Sequence, residues 1–318
     1  MAETDARRAK RSAALSSVFA AVGLTTFKLV VGLLTNSLGI LAEAAHSALD
    51  LVAAAMTYLA VRFSDKPPDN EHPFGHGKIE NLSALFETLL LLGTSAYVIY
   101  EAIRRLFFIS VQVETSIWSF IVMGLSIVID YTRSRILSRA ARTFHSQALE
   151  ADALHFSTDI WSSAVVILGL IGLSIARSIP GLEWMHKADS IAALVVAGIV
   201  ISISVQLGWR TIAGLLDTAP KGQAERVKRA AVSVEGVTNA HAIRIRPSGA
   251  SMFVDLHVTM NGNIHLSRAH ATTEEIEKKV QEIIPGADVT VHVEPLESPE
   301  KKPKRQIGFP QNKKPRRD

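Results

Sequence analysis

The chain of 318 residues is 48% hydrophobic and 20% charged, and its mean hydropathy of +0.22 is too high for an ordinary soluble protein and too low for one lying wholly in lipid. The absence of cysteine excludes disulfides, thiolate metal sites and cysteine nucleophiles, so any metal here is held by nitrogen and oxygen. Part of the +4 formal charge sits at the two ends, in Arg7, Arg8, Lys10 and Arg11 and in Lys313, Lys314, Arg316 and Arg317; it reads as membrane-surface or disordered charge rather than as a nucleic-acid footprint.

Taken in order, a cytosolic N-terminal arm at 1–11 precedes six apolar stretches at about 12–35, 38–62, 79–104, 114–135, 148–176 and 188–212. Each is long enough to cross a hydrocarbon core that needs roughly 20 helical residues. No cleavable signal peptide is expected. Basic residues fall on the side of the N-terminus: Arg62, Lys66 and Lys78 follow the second stretch, and Arg133, Arg135, Arg139 and Arg142 the fourth. The positive-inside rule then makes both termini cytoplasmic.

Two phrases interrupt this apolar background, His46-Ser47-Ala48-Leu49-Asp50 in the second stretch and His155-Phe156-Ser157-Thr158-Asp159 in the fifth. A His and an Asp four positions apart lie one turn above each other on a helix, so each phrase offers a nitrogen and a carboxylate to one point. Two such helices facing each other make a cage of four ligands. The phrases match in depth, about 12 and about 11 residues from the inner ends of their spans, or roughly 16–18 Å at the helical rise. Ionisable groups at membrane depth are costly and mark function.

Other charges in the spans read differently. Lys28 and Glu43 lie at similar depths on consecutive spans and suit a buried ion pair. Glu87 suits a group supporting the metal ligands, a proton acceptor or a hydrogen bond to a neighbouring helix, and Asp130 a local pair with Arg133. After Arg210 the pattern changes to an amphipathic helix at 221–232, strands at 240–246 and 251–260 joined by Pro247-Ser248-Gly249, a helix at 267–284 ending at Pro285-Gly286, and a strand at 287–294. This αββαβ order predicts a small two-layer domain at 213–296. The remainder, 297–318, is rich in proline and basic residues and reads as a disordered tail.

The two His/Asp phrases, the loop Asp69-Asn70-Glu71-His72-Pro73-Phe74-Gly75-His76-Gly77-Lys78 and the αββαβ extension together resemble the cation diffusion facilitator family of divalent-metal/proton antiporters, over residues 12 to 296. The resemblance implies an α-helical membrane protein of six transmembrane helices with a cytosolic α+β, ferredoxin-like domain, working as a homodimer in the cytoplasmic (inner) membrane. It implies a transport site of His46, Asp50, His155 and Asp159, with His46 standing where some bacterial relatives carry Asp and resembling the zinc-preferring members. It implies a second site in the loop from Asp69, His72 and His76, and a third in the cytosolic domain from His241, His257, His270, His292 and Glu294, the last in a place where relatives carry Asp. Strand alternation independently puts His292 and Glu294 on one face. Lys78 and Asp217 resemble a pair that ties the third and sixth spans together near the dimer contact. His145, His186 and His265 match no motif and are read as solvent-facing.

Zinc favours four tetrahedral nitrogen and oxygen ligands at about 2.0–2.2 Å, and two neutral imidazoles with two carboxylates balance its charge. Protons and metal compete for the same lone pairs, which is the basis of antiport. The reading is export of Zn²⁺ from the cytosol against protons, with zinc also a regulatory ligand. The alternatives are Fe²⁺, Co²⁺, Mn²⁺ or Cd²⁺ as main cargo, or a membrane-anchored metal sensor or scaffold. An enzyme is not expected, since HExxH is absent and the cage leaves no open position for an activated water.

Overall fold

A computed structural model describes residues 2–107, 117–178 and 185–296; the basic tail lies outside the described residues. The chain divides into two compact units near Thr218. The first is built from six long helices: α1 (Ala2–Thr35), α2 (Leu38–Ser64), α3 (Lys78–Phe107), α4 (Ile117–Phe144), α5 (Gln147–Ser178) and α6 (Met185–Leu215). Helix α1 runs through the basic N-terminal residues without a break.

Among the described residues four stretches are long and apolar enough to cross a bilayer: Asp5–Thr35, Leu38–Ser64, Lys78–Arg104 and Ala193–Leu215. In α4 the apolar run is broken by Asp130 and Arg133, and in α5 by Asp152, His155 and Asp159.

The helices pack as close pairs, α1 on α2, α4 on α5 and α3 on α6. Small residues allow this. A Cβ at Gly214 of α6 would come within 2.5 Å of Asn81 Nδ2 on α3, and one at Gly208 within 3.0 Å of Thr88 Cγ2, so glycine sets how closely α6 approaches α3. The α1–α2 turn passes through Asn36 in the left-handed region (φ 49°) and Ser37 caps α2, its hydroxyl accepting the Ile40 N–H at 3.4 Å. One apolar core joins α1, α2, α4 and α5 through Ala14, Ala54, Val61, Leu137, Leu149 and Phe156.

The second unit runs α7 (Gln223–Val232), β1 (Val237–Ser248), β2 (Ser251–Met260), α8 (Leu266–Ile283) and β3 (Asp288–Pro295), with the sheet ordered β1-β2-β3. In β2 every second residue, Val254, Leu256, Val258 and Met260, is buried, the period expected of a strand with one face on a core. In α8 the buried positions Ala269, Thr272, Thr273, Ile276 and Val280 make one helical stripe. Strands β2 and β3 are parallel, joined through α8, with His257 opposite His292. Strand β1 reaches further than its alternation indicates and takes in Pro247. This is tolerated because β1 is an edge strand and Pro247 sits near its end.

Ile276 is fully buried on the α8 stripe. Ile276→Ala is expected to lower the stability of the 219–296 fragment by about 2–5 kcal/mol, read as a shifted midpoint with unchanged slope in urea unfolding.

Candidate metal sites

The His/Asp phrases of α2 and α5 meet. Asp50 and His155 are buried and face each other, with His155 Nε2 3.1 Å from Asp50 Oδ1. The same nitrogen is 3.5 Å from Asp159 Oδ2. From the other side His46 Nε2 lies 3.9 Å from Asp50 Oδ1 and 3.9 Å from Asp159 Oδ1. One ligand atom each from His46, Asp50 and Asp159 falls within 4.8 Å of the others. The α-helical four-residue spacing does this twice, once per helix, and the packing of α2 on α5 closes the set.

What holds α5 in place was not visible in the spacing. The Phe156 ring meets His155 edge-on at 5.5 Å between centroids. The Arg133 guanidinium of α4 sits over that ring, 3.4 Å from its centroid. Arg133 Nη1 reaches Asp130 at 3.3 Å, as its spacing suggested, and Nη2 donates to Ser17 Oγ of α1 at 3.1 Å. That hydroxyl donates in turn to Asp152 Oδ2 at 3.3 Å. Asp152 is fully buried three residues before His155. The sequence reading passed over it, although an acid one turn from a candidate metal-ligand histidine was a signal that could have been used. Glu87, also fully buried, accepts the Thr57 hydroxyl of α2, so of its readings the hydrogen bond to a neighbouring helix is present. Lys28 Nζ lies 3.2 Å from Glu43.

The loop before α3 gathers Asp69, His72 and His76. The His72 ring nitrogen is 3.3 Å and that of His76 3.4 Å from separate oxygens of Asp69, and the two rings are 4.4 Å apart. The turn is local chemistry: Asp69 Oδ1 accepts the backbone N–H groups of His72 at 2.7 Å and Glu71 at 3.0 Å. Gly75 supplies the left-handed conformation, φ 75°, that swings His76 back. The His72 N–H, with the His72 ring and the Glu71 N–H, holds the Asp69 carboxyl below its ordinary 3.8. At the start of α3, Lys78 Nζ is 2.9 Å from Asp217 and donates to Leu215 O at the end of α6 at 3.3 Å.

In the second unit, Glu294 of β3 joins two strands through its two oxygens. His257 Nδ1 of β2 is 2.8 Å from Oε1 and His241 Nε2 of β1 is 3.2 Å from Oε2. His292, two residues before Glu294, is 4.0 Å from Oε1 and its ring is 4.7 Å from that of His257. His270 does not join them within one chain. It stands exposed on α8 with its Nε2 3.6 Å from Glu274.

The comparisons with known proteins bear on the whole chain. The family model for the cation efflux transmembrane domain matches residues 14–216, and that for the cation efflux protein cytoplasmic domain matches residues 219–296. The chain belongs to the cation diffusion facilitator family. The cation-efflux pump FieF of Citrobacter koseri is 30% identical over 93% of this chain and 95% of its own length. FieF of Salmonella arizonae is 30% identical over 89% of this chain and 92% of its own. A solved CzrB structure, its zinc form, is 25% identical over 27% of this chain and 96% of its own, with a TM-score of 0.23. Family membership makes this a multi-pass membrane protein of the cation-efflux class, a family of transporters.

The His257 hydrogen bond, followed by the charges of His241 and His292, holds the Glu294 carboxyl below its ordinary 4.5. A lowered folded value means that this pairing stabilises the domain above about pH 4.5 and is lost as pH falls through the lowered value. His257→Ala is expected to return the Glu294 titration toward 4.5, followed by carbon-13 NMR of its carboxyl in the 219–296 fragment; an unmoved titration would dismiss the His257 contact.

Proposed function

We propose that this protein is a Zn²⁺/proton antiporter that exports zinc from the cytosol across the inner membrane. It works as a homodimer with all six long helices spanning the bilayer and both termini cytoplasmic. The observation that carries the reading is the convergence of His155 Nε2 on Asp50 and Asp159 at 3.1 and 3.5 Å, with His46 Nε2 3.9 Å from each carboxylate. Two imidazole nitrogens and two carboxylates suit a tetrahedral zinc ion and leave it neutral. Mg²⁺ and Ca²⁺, which ask for six or more oxygens, are poorly served.

The mechanism follows from the donor set. Zn²⁺ sheds water and takes lone pairs from His46, Asp50, His155 and Asp159. When the site turns outward, protons take those lone pairs and the ion leaves. His155 is held by the Phe156 edge and the Asp50 oxygen, so its Nε2 is aimed before the ion arrives. The cytosolic group of His241, His257, His292 and Glu294 is the site of a regulatory zinc, with His270 a remoter candidate. Asp69, His72 and His76 form a loop site that receives the ion from the cytosol. Lys78 and Asp217 tie α3 to α6.

The deciding experiment is zinc flux into proteoliposomes under an imposed pH gradient, with Cd²⁺, Fe²⁺ and Mn²⁺ offered in parallel. Wild type should move zinc fastest, and Asp50→Ala/Asp159→Ala should fall to the protein-free background while eluting as the same folded oligomer. Flux retained by the double variant removes the cage from the mechanism. If no metal moves while the cytosolic domain still binds zinc, the sensor reading takes its place.

Metal choice is tested at one position. His46→Asp replaces a nitrogen by an oxygen and adds a negative charge, and is expected to raise Cd²⁺ flux relative to Zn²⁺ in the same vesicles. An unchanged ratio would mean that His46 does not set selectivity.

A further inference from the structure

Outside the candidate metal sites, a set of buried charges lies where α1, α2, α3 and α5 meet at the end of the bundle that carries the α2–α3 and α4–α5 loops. Lys10 of α1 reaches Asp65, the residue after α2, at 3.2 Å and also donates to Glu80 in the first turn of α3. Arg11 Nε lies 2.9 Å from the other oxygen of Asp65. Glu80 further accepts Ser64 Oγ at 2.8 Å and the hydroxyl of Ser146, which precedes α5. The side chains of Lys10 and Asp65 are 7% exposed and that of Glu80 1%. Two acids thus meet two bases and two hydroxyls, drawn from four helices.

Between this cluster and the His/Asp cage lies apolar packing. Asp65 is 15 residues past Asp50 along α2, roughly 20 Å at the helical rise. Ala54 and Val61 of α2, Leu137 of α4 and Leu149 of α5 fill that interval with essentially no exposure. On the far side of Asp50 the His46 side chain keeps 42% exposure. The interval toward the loops is filled by those buried apolar side chains.

We propose that Lys10, Asp65 and Glu80 form the inner gate of the transporter, a charged clasp that closes the cytoplasmic route to the cage and must part for metal to enter. The proposal rests on the alternating-access reading above. Its physical basis is that a buried, fully partnered charge cluster has little net stability over the same charges in water. An apolar seal alone loses stability on opening in proportion to the surface it exposes. The clasp exchanges ion pairs for hydration, so it fixes the closed geometry sharply yet parts at small cost. Breaking one partner behaves differently, because it strands a buried charge and drives the clasp open.

The test uses the full-length protein in inside-out vesicles. Because the chain has no cysteine, Ala54→Cys supplies the sole thiol, placed in the apolar interval, for a membrane-impermeant maleimide added to the cytoplasmic face. In this background Lys10→Met and Glu80→Gln are each expected to raise the labelling rate about tenfold or more, and Lys10→Arg to keep it low. A rate unchanged in both, with folding verified by elution profile, overturns the proposal. So does an equal rise at Ala84→Cys, in the separate α3–α5–α6 packing, since that marks general loosening. Labelling needs no ion to move, so this outcome is independent of whether zinc flux is found.

Discussion

A carboxylate cannot stay ionised inside an apolar bundle without a partner, and the arrangement of the first unit answers that constraint. Asp50 and Asp159 face two imidazoles. Asp130 faces Arg133, Asp65 and Glu80 face Lys10, and Glu87 and Asp152 each accept one hydroxyl. Partnered groups of this kind are cheap only in one geometry, so each of these acids, except Asp130 whose partner is on its own helix, ties its helix to a particular neighbour. The cage differs from the rest in having nitrogen lone pairs that can serve either a proton or a metal.

The pairs also divide the bundle. Helix α6 lies against α3 with glycines in the seam, and Lys78 bonds the two again at their ends. That seam has no room for sliding. Helices α1, α2, α4 and α5 share an alanine-rich core joined by charged groups at its margin. Small side chains interlock little, and polar ties can be remade in water, so relative movement of α2 and α5 costs less within this group than across the α3–α6 seam.

Much of the cage was legible because His46/Asp50 and His155/Asp159 are local patterns, each fixed by one turn of helix. The loop triad and the pairing of Lys78 with Asp217 were legible only through resemblance, since a left-handed Gly75 and a contact across 139 positions leave no periodic mark. Strand β2 was read correctly by its alternation, whereas β1 was read short at both ends, at its C-terminal end because Pro247 mimicked a turn. The clasp was missed for a physical reason: Lys10, Asp65 and Glu80 are 55 and 70 residues apart in the chain and sit beside Arg11, Arg62 and Lys66, where charge looks like ordinary interfacial decoration. His270 exposes the opposite limit, a histidine that resemblance groups with the domain site but that one chain holds apart from it.

The two oxygens of Glu294 have a mechanical side. Strands β1 and β3 are both edges of a three-stranded sheet, and edges are where sheets fray. His241 and Glu294 stand on those edges and His257 on the strand between, so a single ion bound among them would act as a rivet through all three strands. The extra methylene of glutamate gives the carboxylate the reach to span from one edge toward the other. Fraying of the sheet and occupancy of such a site would then be the same event viewed from two ends.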